Sequence, residues 1–278
     1  MSKARKRVTR RASEKKRRPP PFDKYAIYRR AVQSPDNDVE FLRDTYRELK
    51  GRLPNTLRED FCGTFSICCE WIKQGPKYRA HGIDLDYEPI HYGLGNNLPK
   101  LSSAQRARFE VHQENVLNPG LPHADVICAM NFSYFIFKER EALKSYFKNC
   151  LMTLHPGGVL VADCFGGSLC QEANEEKTKM RGFTYYWDQE SFDPVSNHAV
   201  FHIHFKLDGR KKVENVFSYD WRMWSIPEIR ELMLEAGFRK THVYWEGTTR
   251  SGDGNGVFKP VEKGEECQAW IAYIVGEK

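Results

Sequence analysis

The chain has 278 residues, 40% of them apolar and 13% aromatic, which is enough to fill a sizeable core in one large domain or two small ones. It contains no run of about eighteen apolar residues, and its basic start has no apolar segment behind it, so neither a membrane span nor a secretory signal is expected and the chain reads as cytoplasmic. The net charge of +6 is unevenly spread: residues 1–18 hold ten Lys or Arg against one Glu, or +9, and the remaining 33 basic and 36 acidic residues leave an acidic body of −3, which argues against a broad phosphate-binding face on the fold itself.

Residues 1–21 read as a disordered basic arm. Lys15, Lys16, Arg17 and Arg18 run into three prolines, have nothing to bury and repel one another. Such an arm is either a tether for nucleic-acid phosphates or a solubilising tail; the tail is favoured because no aromatic residues are interleaved to stack on bases. Residues 22–278 read as one domain. Helices are predicted over 22–32 and 38–50, the second placing Val39, Phe41, Leu42 and Tyr46 along a stripe. Strands near 56–61, 78–84, 109–113, 125–130 and 158–164 then alternate with helices near 66–73, 89–96 and 138–154. Each parallel strand needs a long return connection, so the alternation predicts an α/β fold.

From about 181 to 224 the rhythm breaks. Residues 198–205 alternate in part with period two, and Asp208-Gly209 turns into 213–219, which predicts an antiparallel hairpin inserted at the working edge of the sheet. Ser225 and Glu228 read as a capping box for a helix whose apolar face is Ile229, Leu232, Met233 and Ala236 and which Gly237 ends. Strands at 240–245 and 267–275, with a Gly-rich loop at 251–256 between them, bring the count outside the insert to seven. The expected architecture is a doubly wound, mostly parallel seven-stranded sheet with helices on both faces. The eight cysteines form no C-x-x-C pair and read as buried reduced thiols.

The first strand ends in Glu59-Asp60-Phe61-Cys62-Gly63-Thr64 and feeds a helix. In a doubly wound sheet this loop borders the ligand crevice, and small residues let the backbone approach the ligand. About 25 residues later Gly82-Ile83-Asp84-Leu85-Asp86 closes the second strand, where a ribose-binding carboxylate is expected; Asp86 suits a helix cap better than Asp84 does. Leu154-His155-Pro156-Gly157-Gly158 precedes the fifth strand. Together these landmarks resemble the class I, Rossmann-like S-adenosylmethionine-dependent methyltransferases, although Phe61 and Phe65 stand where that family usually has glycine. The resemblance implies S-adenosylmethionine as cofactor, with Glu59, Phe61, Cys62, Gly63, Thr64, Asp84, Leu85, Asn115, Val116 and Asn131 around it. Asp84 would take the ribose hydroxyls, and Asn115 with the amide of Val116 the adenine.

Asn131-Phe132-Ser133-Tyr134 occupies the place where enzymes methylating amino nitrogens carry Asn-Pro-Pro-Tyr, though both prolines are missing; a strand end packing on the cofactor is the plainer reading. Tyr134 and Asp163 are the candidates for substrate contact, and no general base is assigned. The aromatic groups at 185–187, 219–224 and 244–245 either form core or box a cationic or planar substrate, with Asp163, Asp220 or Glu246 as charge partner. His198, His202 and His204 share a strand face, but no carboxylate is spaced to complete a metal site, and solvent-facing histidines with no metal are expected. The insert and the aromatic tail favour a small-molecule methyl acceptor. The alternatives are RNA or another nucleic acid reached through the arm, and a nicotinamide-dependent oxidoreductase, which lacks its G-x-G-x-x-G here.

Overall fold

The computed structural model describes residues 22–250 and 254–278, so the expected arm at 1–21 lies outside the described residues. Two helices come first, α1 (Lys24–Val32) and α2 (Pro35–Lys50). α2 starts three residues before the expected position: Pro35 sits in its first turn, where a missing amide costs nothing, and Asp36 and Asp38 meet its positive end. Its stripe is as the sequence reads, with Val39, Leu42 and Tyr46 buried. Then follow β1 (Thr56–Asp60), α3 (Ser66–Lys73), β2 (Arg79–Asp84), α4 (Tyr87–Asn96), α5 (Ser103–Arg106), β3 (Phe109–Gln113), β4 (Ala124–Ala129), α6 (Arg140–Thr153) and β5 (Leu154–Gly166). β1 to β5 pair in parallel, in the order β5-β4-β1-β2-β3.

After the insert come α7 (Ile226–Ala236), β10 (Lys240–Thr248), β11 (Gly254–Val261) and β12 (Trp270–Glu277). The capping box at Ser225 and Glu228 is present, and Gly237 ends α7 in the left-handed conformation. β12 lies antiparallel between β5 and β10. Alternate residues of β5 face opposite sides. Val159 and Val161 share a core cluster with Leu42 of α2 and Trp71 of α3, while Leu160 and Ala162 share another with Phe147 of α6 and Met233 of α7.

Two expectations are corrected. The main sheet has eight strands, in the order β11-β10-β12-β5-β4-β1-β2-β3. The additional strand, β11, begins inside the expected Gly-rich loop and takes in its residues 254–256; residues 251–253 lie outside the described residues. Its glycines and Pro260 concealed it, yet Pro260 is tolerated on an edge strand and Phe258 packs on Phe41 and Tyr273. The insert is also more than a hairpin. β6 (Asn174–Met180), β7 (Phe183–Asp193), β8 (His198–Leu207) and β9 (Lys212–Arg222) form a separate antiparallel sheet. β6 is mostly exposed and polar, so period two carries no apolar signal there. Phe183, Ile203 and Phe205 of this second sheet close on Ile27 of α1, while Ala199, Phe201 and Trp221 join the core on the α6 side of the main sheet.

Candidate functional site

The loop after β1 keeps a glycine-like backbone without most of the glycines. Phe61, Gly63 and Phe65 all have positive φ, at 58°, 51° and 50°. For the two phenylalanines this costs about 1 kcal/mol or more each, tolerated only where the surroundings over-determine it. The rings supply that constraint. Phe61 packs on Phe137 and Tyr146, and Phe65 is fully buried against Phe109, in space left by Gly93, where a Cβ would collide with its ring. The packed rings thus hold a backbone conformation that glycine would adopt without strain.

The two acids that end β1 point to opposite faces. Glu59 accepts the amide of Cys68 at the start of α3 (2.9 Å), and burial pushes its carboxyl up to about 8. Asp60 is held by the Arg58 guanidinium (2.8 Å) and the Tyr146 hydroxyl (3.0 Å). At the end of β2, Asp84 accepts the amide of Gly63 (2.6 Å) on one oxygen and that of Asp86 (2.8 Å) on the other; burial raises its pKa. Asp86 caps α4 through the amide of Glu88 (3.0 Å). Each carboxylate oxygen of Asp84 has a second lone pair for a further donor.

After β4, Asn131 and Phe132 both adopt φ of 58°, and Asp163 of β5 explains how the chain holds two such residues in a row. Its oxygens accept the amides of Asn131 (2.6 Å) and Phe132 (2.8 Å). Burial pushes Asp163 up to about 7 against those two hydrogen bonds. Asp163 therefore buckles the loop, although it also borders a cavity. Tyr134, expected on the substrate side, is a correction: it is fully buried, its hydroxyl donates to the carbonyl of Asp163 (2.7 Å), and it borders neither cavity described next.

Two cavities lie above the carboxyl ends of the strands. The smaller, of about 280 Å³, is bordered by Glu59, Phe61, Cys62, Gly63, Thr64 and Asp84, and α1 forms its other wall with Lys24, Tyr25 and Tyr28. α1 is tied across it: Lys24 pairs with Glu88 (2.6 Å), and Asp23 accepts the Tyr92 hydroxyl (2.9 Å). The larger, of about 570 Å³, lies between the two sheets. Tyr28, Met130, Asn131 and Tyr219 border both. Leu85, Asn115 and Val116 border neither: Leu85 is exposed, Val116 is buried, and the Asn115 side chain accepts the amide of Leu117 (2.9 Å).

Trp187, Tyr219, Trp221, Trp245 and Trp270 give the larger cavity aromatic walls, and Asp38, Asp163, Glu176 and Glu246 give it carboxyl groups. Among the described residues, its border contains no Lys, Arg or His. Of the expected charge partners Asp163 and Glu246 are there, whereas Asp220 is elsewhere, on the surface with Lys138 (2.5 Å). Trp224, from the same aromatic group, is core, its indole donating to the carbonyl of Phe137 (3.0 Å). Tyr28, Asp38 and Tyr273 were not singled out in the sequence. Burial pushes Asp38 up to about 7, its one close donor being the Tyr273 hydroxyl at 3.3 Å. In the sequence Asp38 looks like one more acid at a helix start, and only the packing of α2 against β12 reveals where it sits.

The histidines of β8 differ from expectation. His202 and His204 are buried, and β7 supplies the carboxylates that spacing along one strand cannot show: Glu190 lies 2.6 Å from His202 and Asp188 3.1 Å from His204. No helix among the described residues is long and apolar enough to cross a membrane.

No protein-family model and no curated protein matches this sequence. Solved structures do match. An S-adenosylmethionine-dependent methyltransferase from Clostridium acetobutylicum is 19% identical with a TM-score of 0.64, over 91% of this chain and 96% of that one. A sugar N-methyltransferase from Streptoalloteichus sp. is 17% identical with a TM-score of 0.61, over 100% of this chain and 98% of that one. An amino pentose methyltransferase from Micromonospora echinaspora, solved with S-adenosylmethionine bound, is 13% identical with a TM-score of 0.62, over 92% and 98%. At these identities the likeness is one of fold: the chain has the class I methyltransferase fold.

Proposed function

We propose that this protein transfers the methyl group of S-adenosylmethionine to the nitrogen of a small cationic amine. The observation that carries the reading is the meeting of the two cavities at Tyr28, Met130, Asn131 and Tyr219. One cavity has the strand-end loop and ribose-type carboxylate that suit a nucleoside; the other has the aromatic, acidic walls that suit an organic cation. The residues fit the cofactor. The left-handed backbone at Gly63 presents no side chain, and Asp84 has lone pairs to spare beyond the amides it already accepts. We place the adenine over exposed Leu85 towards Asn115, a direction supported by the hydrogen bond from the Glu114 amide to the carbonyl of Asp84 (2.9 Å), which keeps the ends of β2 and β3 together. Fold neighbours described as acting on a sugar nitrogen and an amino pentose support an amine acceptor. The acidic walls disfavour a phosphate-bearing substrate such as RNA.

When bound, the cofactor supplies an electrophilic methyl on a positive sulfur; the rest falls to this chain. Orientation of the acceptor between the aromatic walls is the largest contribution, on the order of 7–11 kcal/mol for well-aligned partners. Tyr28 and Tyr219, whose hydroxyls interact and whose burial keeps them neutral, narrow the passage between the cavities and exclude water. An amine arrives protonated and attacks only through its lone pair, so a proton must leave before the nitrogen–carbon bond forms and the carbon–sulfur bond breaks. Asp38 is the proton acceptor in this reading. Asp163 has an amide on each oxygen, whereas Asp38 has one hydroxyl at 3.3 Å and no cation beside it in the cavity border.

The test is transfer of isotopically labelled methyl from S-adenosylmethionine to a panel of primary and secondary amines, amino sugars included, beside matched alcohols. Label on amine nitrogen alone is the expected result. Label only on oxygen acceptors, or no binding of S-adenosylhomocysteine in a calorimeter, contradicts the reading.

A further inference from the structure

Away from both cavities, β2 and β3 pair at the free edge of the main sheet, with His81 opposite Glu110 and Ile83 opposite His112. His81 Nδ1 lies 3.3 Å from Glu110 Oε2, and His112 Nε2 lies 3.7 Å from the same oxygen. The three ligand atoms are all within 4.8 Å of one another. Both of these ring nitrogens are out of contact with solvent and neither has a hydrogen-bond partner, a costly condition for buried polar atoms. A tetrahedral ion about 2.0–2.1 Å from nitrogen and oxygen ligands separates them by roughly 3.3 Å, close to the spacing found here.

A second cluster, Glu175, Asp188 and His204, shows what a histidine with carboxylates looks like when the bonding is already complete. There the Nδ1 of His204 accepts the amide of Asn215 (2.8 Å), so its Nε2 carries the proton and donates to Asp188, and Lys212 already neutralises Glu175. That ring has no lone pair left for a cation. The rings of His81 and His112 have no such competitor at the nitrogens that face Glu110. We propose that His81, Glu110 and His112 form a binding site for a divalent transition metal of the zinc, cobalt or nickel class, which clips β3 to β2. Two imidazoles and one carboxylate are a borderline donor set that suits these ions over magnesium or calcium, and three protein ligands leave a position open to water. The site is independent of the methyl-transfer reading, since none of its residues borders either cavity.

The experiment titrates Zn²⁺ by calorimetry into the full chain, stripped with chelator and freed of any affinity tag, and follows Co²⁺ binding by visible absorption. One equivalent should bind. The cobalt spectrum should show nitrogen and oxygen ligation without a thiolate charge-transfer band, since a band would mark exposed Cys267 instead. His81→Ala, His112→Ala and Glu110→Gln should each weaken binding by more than about tenfold, because even outer-shell partners of a metal are worth that much; His155→Gln should change nothing. Zn²⁺ should also raise the melting temperature of the wild type and not of His112→Ala. Circular dichroism and S-adenosylhomocysteine binding establish that each variant is folded. Absence of a stoichiometric equivalent, a thiolate band, or binding indifferent to all three substitutions overturns the proposal.

Discussion

The two cavities are built in opposite ways. On its sheet side the smaller one is bordered by the run 59–64 and by Asp84, Asp86, Glu88 and Pro89, and two of its carboxylates are already engaged: Glu59 with Cys68, and Asp84 with Gly63 and Asp86. The larger one is assembled from α1, α2, the strand ends of the main sheet and the face of the second sheet, and in Asp38 it keeps a buried acid with one weak partner. The first is preorganised by satisfied hydrogen bonds. The second holds a buried, weakly partnered acid whose ionised form a cationic ligand would stabilise, an arrangement that favours binding at the expense of stability.

Asp38→Asn should break the contrast most severely. Methyl transfer to amines is expected to fall by about 10²–10⁴-fold, the range of a lost general base, with affinity for S-adenosylhomocysteine unchanged. In the wild type, kcat/KM should rise with pH up to about 7 as Asp38 ionises, and the variant should lose that limb. Stability moves the other way. Because the folded pKa lies above the ordinary 3.8, the native state holds this proton more tightly than the unfolded chain, so stability falls as pH rises from about 4 through about 7. Above that window Asp38→Asn should melt higher than wild type, by on the order of 1 kcal/mol or more; a lower melting temperature at pH 8 would contradict the assignment.

Asp84→Ala comes next and should act on the other cavity. Loss of charged hydrogen bonds worth about 1.5–3 kcal/mol should weaken S-adenosylhomocysteine binding roughly tenfold to a hundredfold, measured by calorimetry.

The difference in construction also explains what the sequence could show. Strand-end motifs are local, so Glu59, Gly63, Asp84 and Asn131 could be picked out and are found around one space. Asp86, read as a helix cap, is one. Phe61 and Phe65 looked like departures because sequence shows residue type and not φ. The wall of the larger cavity is non-local. Tyr28 looks like any aromatic residue on a helix, Asp38 like a helix-start acid, and the carboxylates beside His202 and His204 come from the neighbouring strand. Tyr134 was drawn to the substrate side by a motif whose two prolines are absent, and here the aromatic side chain turns into the core. The polar strand β6 and the Gly-rich start of β11 lack the apolar alternation that marks a strand.

Two smaller effects sharpen the comparison from outside the cavities. Glu277, buried beside Lys50 and His242, has a pKa that burial raises but these partners draw down to about 2. Its folded pKa is depressed, so its contribution is present above the ordinary 4.5 and disappears as pH falls towards 2. Glu277→Gln should lower stability by on the order of 1 kcal/mol at pH 7 and by nothing near pH 2, the reverse of the slope from Asp38; thermal melts across pH check both. Lys24→Ala removes a partly exposed ion pair to Glu88 and should cost about 0.2–1 kcal/mol, less at high salt.

The most direct measurement is a crystal structure with S-adenosylhomocysteine and an unreactive organic cation, such as benzyltrimethylammonium. The expected result places the ribose hydroxyls on the carboxylate of Asp84, the sulfur at the passage between Asn131 and Tyr219, and the cation among Trp187, Trp221 and Asp38. A nucleoside in the larger cavity, or one that leaves Asp84 untouched, would contradict the division of labour on which the assignment rests.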